Sequence, residues 1–219
     1  MWLHLVARYA MLAAMSGIVT NQVAAQSVTG APARQTPAAT PQSPAPQASR
    51  VEFRCPSAGT VVTTKSAISI TDWTSLGAEP TDPTLCLRKQ GFTTTERYFG
   101  IYGQNTVGSS AAELKKAMMD IIAGTRTDFS FRYKLNQGEG WNFEDKWTRV
   151  GAETLTIDGK KIETLVFEQT QQNLTRPFKG TAKWWLDPLS GIVLKRAVVS
   201  AEPNYPWGEQ FEVTKIVSP

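Results

Sequence analysis

Glu139, Glu144 and Asp145 fall close together, with Trp141 and Trp147 beside them. Two carboxyl groups next to aromatic rings are the inventory of a glycoside hydrolase: one protonates the leaving oxygen, the other acts as nucleophile or base. That chemistry needs both groups to face one substrate, with one pKa raised above the other. Glu144 and Asp145 are neighbours, so on a strand they point to opposite faces. A polar turn running into a strand explains the three acids more simply, and a carboxylate-dependent glycosidase stands as the alternative.

Histidine narrows the chemistry further. The chain has one, His4, near its start. The rest holds no Ser–His or Cys–His pair, no imidazole metal ligand and no imidazole acid or base. Most hydrolase and zinc chemistry is excluded, and no catalytic residue, metal site or cofactor is expected.

Binding chemistry is better supplied. Trp141, Trp147, Trp184 and Trp185 are the candidates for a ligand-binding platform, with Trp207 a further ring. Such rings stack on sugars or line an apolar cavity, but among strands they more commonly fill the core and pair across strands. Lys195 and Arg196 supply cations for an anion; charges at a strand end are otherwise simply solvated. Asn173-Leu174-Thr175 matches a glycosylation sequon and is read as a chance match in a loop.

The elements that must position these residues centre on 181–196, two apolar strands around a turn punctuated by Pro188 and Gly191. Alternation places Trp184 and Leu186 on one face and Trp185 on the other. Past the turn, Ile192 and Leu194 share a face, and Val193 joins Ala197 on the opposite one. Both faces are apolar near the turn, as expected for a central hairpin covered on both sides.

Upstream, residues 59–64, 67–73 and 97–102 read as strands, the last with Phe99 and Ile101 on one face, and 76–85 reads as a loop. Ser110 and Glu113 match a capping box. Leu114, Ala117, Met118, Ile121 and Ile122 follow as one apolar helical stripe, and Gly124 is a suitable stop. Phe129, Phe131, Tyr133 and Leu135 alternate with polar residues, and 138–140 turns the chain into a strand over 141–150. Asp158-Gly159 is a two-residue hairpin signal between strands at 154–157 and 161–168. Phe211, Val213 and Val217 mark a last strand. The fold class expected is α+β: a curved antiparallel β meander, half-barrel-like, packed on one main α-helix.

The hairpin at 183–196 resembles the ending of a broad set of exported bacterial envelope domains, in which W-W/Y-x-D/A-P-x-x-G-x-V-x-K-R closes an antiparallel sheet. Residues 151–159 and Leu165-Val166-Phe167-Glu168 are similar to that set as well. A related group, the periplasmic lipoprotein carriers, encloses an apolar cavity for acyl chains between a half-barrel sheet and helices. The resemblance implies a non-enzymatic envelope protein binding an apolar ligand or a protein partner; a glycan-binding protein is the alternative.

Residues 1–25 read as a signal peptide: Arg8 supplies charge, 9–20 the apolar stretch, and Val23-Ala24-Ala25 the small residues before a cut. A stretch of 12 residues falls short of the ~18–20 that span a bilayer, so no stable membrane span is expected after cleavage. Residues 26–50, rich in Pro, Ala and Gln, are expected to form a disordered linker, leaving 51–219 as the antiparallel α+β domain. Three of the 23 basic residues and none of the 19 acids precede residue 51, leaving 20 against 19 in the domain. A nearly neutral domain gives no reason to expect nucleic acid as a partner. Cys55 and Cys86, the only cysteines, are expected to form a disulfide of a periplasmic or secreted protein.

Overall fold

The structure, a computed structural model, describes residues 51–135, 141–176, 178–202 and 209–219. The expected signal peptide and linker lie outside the described residues, as do Glu139, Trp207 and the turn at 138–140. Eleven strands are described: β1 Val61–Ser66, β2 Ile70–Glu79, β3 Asp82–Gln90, β4 Thr93–Tyr98, β5 Tyr102–Gly103, β6 Asp128–Leu135, β7 Trp141–Ile157, β8 Lys160–Asn173, β9 Lys179–Leu186, β10 Val193–Ala201 and β11 Phe211–Val217. Between β5 and β6 run α1 (Gln104–Val107), a 3-10 turn (Gly108–Ser110) and α2 (Ala111–Ala123).

The strands form one antiparallel sheet in the order β5-β4-β3-β2-β1-β11-β10-β9-β8-β7-β6. Its two edges, β5 and β6, are the strands that the helical segment connects. The sheet is not closed by backbone pairing, yet it curls until its edges touch through side chains. The Tyr102 ring on β5 lies 5.3 Å from Phe131 and 6.0 Å from Tyr133, both on β6. The α2 stripe of Leu114, Ala117, Met118, Ile121 and Ile122 is buried in the main core with Phe129, Phe131, Phe143, Trp147 and Phe167. Burying each of its larger side chains contributes roughly 1.5–3 kcal/mol, which a helix of this length needs from its neighbours.

Local signals hold where side-chain chemistry decides the backbone. Asp158 and Gly159 both take positive φ, 49° and 74°, as the tight turn between β7 and β8 requires. Gly124 ends α2 at φ 77°, in the left-handed region. At the other end of the helix, Ser110 sits at the N-cap position but makes no capping bond; its Oγ donates to the Arg132 carbonyl on β6 at 2.8 Å instead. The expected capping box is therefore replaced by a tie to the sheet edge.

Three expectations are corrected. Residues 76–85 are not a loop, because β2 and β3 pair there as a hairpin, Ala78 opposite Cys86. The strand expected at 97–102 breaks after Tyr98, where Phe99 takes φ 55° and the chain turns into β5. In the tryptophan hairpin, a bulge between Val193 and Lys195 shifts the register. Val193 pairs with Leu186 and joins the main core. Arg196, rather than Lys195, then pairs with Trp184, and Ala197 falls on the opposite face from Val193. Ile192 and Leu194 do go together, into a second core with Val62, Ile157 and Val213.

The turn of this hairpin is held by Asp187, whose Oδ1 accepts from Leu189 N and Oδ2 from the Ser190 hydroxyl. Gly191 has φ 68°, and a Cβ there would meet the Arg54 carbonyl at 1.8 Å. No other residue fits. Nearby, Cys55 and Cys86 are bonded, Cα to Cα 5.3 Å, tying the segment before β1 to β3. No helix among the described residues is long and apolar enough to cross a membrane.

Candidate functional site

Two features occupy the inner side of the curled sheet. The first is a sealed polar cluster around Asp145, which alternation on β7 directs inward while Glu144 points away. Asp145 is fully buried. Its Oδ2 accepts from the Tyr102 hydroxyl, from Gln169 Nε2 at 2.6 Å and from Gln171 Nε2 at 3.4 Å. The Tyr102 oxygen accepts from Trp147 Nε1 at 2.8 Å and Gln169 Nε2 at 3.1 Å. Gln171 Nε2 also donates to the Tyr133 hydroxyl at 2.7 Å, and Trp184 Nε1 donates to Gln169 Oε1 at 2.9 Å.

Strands β5, β6, β7, β8 and β9 each give a side chain to this network, so it fastens one edge of the sheet to the other. Burial pushes the Asp145 carboxyl up to about 6, against the pull of the hydrogen bonds from Tyr102 and Gln169. Burial, then the Asp145 charge, pushes the Tyr102 phenol well above its ordinary value. Glu144, by contrast, pairs with Arg132 Nε at 2.8 Å near the surface. The structure therefore does not bring Glu144 and Asp145 onto one face, and the paired carboxyls of a glycosidase are not assembled from them.

The second feature is a groove. Two cavities of about 350 and 410 Å³ share Arg97, Ile101, Trp184, Glu209 and Phe211 in their walls and so adjoin. The smaller continues over Trp73, Ser75 and Arg88; the larger over Tyr102, Tyr133, Gln169, Gln171 and Arg196. The larger thus backs directly on the Asp145 network. Its walls mix rings, hydroxyls, amides and guanidinium groups. Cavities of this size, roughly 300–1,000 Å³, are those that small ligands occupy.

The candidate tryptophans part company here. Trp147 is wholly buried and contacts Phe167 and Trp184 at 6.3 and 5.7 Å. Trp185 is buried on the other face of β9, where its Nε1 donates to Glu153 at 2.7 Å and Lys195 lies over its ring. Trp141 packs at a tilt against Phe143 and Phe178 and does not line the groove. Trp184 alone of the four lines the groove. Lys195 and Arg196, expected to be solvated, instead cover rings: Arg196 is buried and sits 5.0 Å from the Trp184 ring.

Sequence reasoning missed Arg88, Arg97, Gln169 and Gln171. Arg88 had one available signal: it lies two residues past Cys86, so it points to the same side as a disulfide that must be inside. Arg97 is opposite Cys86 on β4 and reaches that side too. Asn173 of the sequon is buried, its Oδ1 accepting from the backbone of Thr175 and Arg176.

No protein-family model matches this sequence, and no curated protein matches it. Among solved structures, the chain is similar to the hypothetical lipoprotein YmcC from Escherichia coli K12. The TM-score is 0.51 at 12% identity, over 73% of this chain and 84% of that one. An exported protein with a YmcC-like fold from Bacteroides fragilis NCTC 9343 aligns at TM-score 0.34 and 8% identity, over 77% of this chain and 100% of that one. The likeness to YmcC is one of architecture: this chain shares the fold of that lipoprotein.

Proposed function

We propose that this is an exported, non-enzymatic protein of the cell envelope that binds a small amphipathic ligand in the groove. The observation that carries the reading is the pair of adjoining cavities whose walls combine Trp184, Phe211 and Ile101 with amides, hydroxyls and guanidinium groups. Apolar walls favour an apolar part of the ligand by removing it from water, and the polar groups fix its orientation. Export is supported by the leader-like start and by the Cys55–Cys86 bond, since disulfides persist in oxidising compartments. Catalysis is disfavoured because the one strongly perturbed carboxyl, Asp145, is walled off behind Tyr102, Gln169 and Gln171 rather than open to the groove.

Mass spectrometry of the organic extract of protein purified from the cell envelope tests this. A small molecule in near-stoichiometric amount is expected from the parent and not from Phe211→Asp, which places a charge in the apolar wall. An extract of the parent holding nothing above background would overturn the reading.

A further inference from the structure

We propose that the ligand carries a carboxylate or phosphate group, and that Arg88 and Arg97 hold it. The proposal rests on the groove being a binding site, and adds the chemistry of what it binds. Arg97 pairs with Cys86 across β3 and β4, and Arg88 is two residues further along β3. They are diagonal neighbours on one face, with Cβ atoms about 7 Å apart, within reach of each other and of a common partner. Both line the smaller cavity, and Arg97 lines both.

Their present partners leave donors over. Arg88 Nε donates to the Thr95 hydroxyl at 3.0 Å, with the guanidinium 5.8 Å from the Trp73 ring. Arg97 Nη1 donates to the Ile101 carbonyl at 3.0 Å, and its Nε is buried with no acceptor. None of the four ion pairs among the described residues includes either arginine. Among the described residues, the walls of the smaller cavity hold Arg88 and Arg97 against one acid, Glu209.

Charges taken from water are ordinarily paired, and two guanidinium groups facing one cavity repel each other. Burial lowers the pKa of both, and the proximity of Arg97 lowers that of Arg88 further, to about 10. An oxyanion reverses each of these deficits: it supplies acceptors for the spare N–H groups, and its charge lies between two cations. The planar donor fork of arginine suits a carboxylate or phosphate in particular. The apolar part of the same ligand would lie toward Phe211, Ile101 and Trp184.

Calorimetric titration of the full chain with decanoate, decyl phosphate and uncharged decyl glucoside, each below its micelle concentration, tests the idea. At least one anionic member is expected to bind about tenfold or more tightly than the glucoside, the scale of a charge-assisted pair; which one does so separates the two sources of the anion. Arg97→Gln should remove most of that preference, and Arg132→Gln, outside the groove, should keep it. The comparison of charged and uncharged ligands on the parent protein needs no variant, so misfolding of Arg97→Gln would not blunt it. Equal binding of all three would overturn the anion assignment while keeping the groove as a binding site. Binding by none would sink both.

Discussion

The Asp145 cluster and the arginine groove lie on either side of one layer of side chains. Tyr102, Tyr133, Gln169 and Gln171 serve both, walling the groove while hydrogen-bonding to the cluster. Each region withdraws charge-bearing groups from water, Asp145 fully and Arg88 and Arg97 in part, and the two handle it in opposite ways. Behind the wall, the carboxyl is neutralised or solvated by hydroxyl and amide donors from several strands. In front of it, guanidinium groups keep donors to spare and share a single acid. Each side leaves one buried polar atom without a partner, Asp145 Oδ1 behind the wall and Arg97 Nε in front of it. The difference is that Asp145 Oδ2 is met by donors from β5 and β8, whereas no ion pair among the described residues includes Arg88 or Arg97. Burial alone does not separate the two cases. The balance of donors and acceptors does.

If that division is right, the cluster should answer in stability and the groove in affinity. The largest effect is expected for Trp147→Ala. Its ring is fully buried against Tyr102, Phe167 and Trp184, and removing it also takes a donor from the Tyr102 hydroxyl. Urea unfolding should show a loss of about 3–5 kcal/mol, the range for a large buried aromatic. A variant as stable as its parent would mean that Trp147 belongs to a ligand platform after all, and the two regions would merge.

How far this division was legible in the sequence depends on the range of the interactions. The α2 stripe, the Asp158-Gly159 turn and the alternation of β6 are local patterns, and each is where its residues place it. The disulfide follows from there being two cysteines in a chain with a leader-like start. The groove is a different matter. Arg88 and Arg97 become neighbours only because β3 and β4 pair in one register. They meet Phe211 only because β11 returns to lie between β1 and β10, a pairing with no local signal. The bulge after Val193 is equally silent, yet it decides that Arg196 covers Trp184. Asp145 was noticed for its chemistry beside Glu144. Its true partners, Tyr102 and Gln169, are 43 and 24 residues away.

A smaller and more diagnostic effect concerns pH. The folded chain keeps the Asp145 proton up to about pH 6, whereas the ordinary value is 3.8. Between those values the folded state binds more protons than the unfolded one, so stability falls as pH rises through the window, by about 3 kcal/mol in all. Above it the cost of burying the charge is present in full; below it the cost is absent. Other carboxyls titrate in the same range, so the difference between parent and Asp145→Asn is what counts. Tyr102, its phenol raised far above this range, does not intrude. Stability measured at pH 4 and pH 7 should show the decline in the parent and a flatter profile in the variant. Equal slopes would mean that the carboxyl is ionised at both values, sustained by its hydrogen bonds.

The smallest expected effect on stability belongs to Glu209→Gln, and there the two regions should differ most plainly. Glu209 is exposed and is the one acid in the groove walls among the described residues, and its charge offsets the repulsion between Arg88 and Arg97. Substitutions at exposed positions mostly change stability by less than about 0.5 kcal/mol, and the lost offset should place this one on the destabilising side. For an incoming oxyanion the same change removes a like charge from the site. At the separations and effective dielectric of a protein surface this is worth about 1 kcal/mol, or roughly fivefold in affinity. Decanoate or decyl phosphate should therefore bind the variant more tightly, while uncharged decyl glucoside binds both alike. A weaker affinity for the anions would show that Glu209 chiefly orients the arginines. The groove would then meet its own charges from within the chain, as Asp145 Oδ2 is met, and the contrast between the two regions would fall.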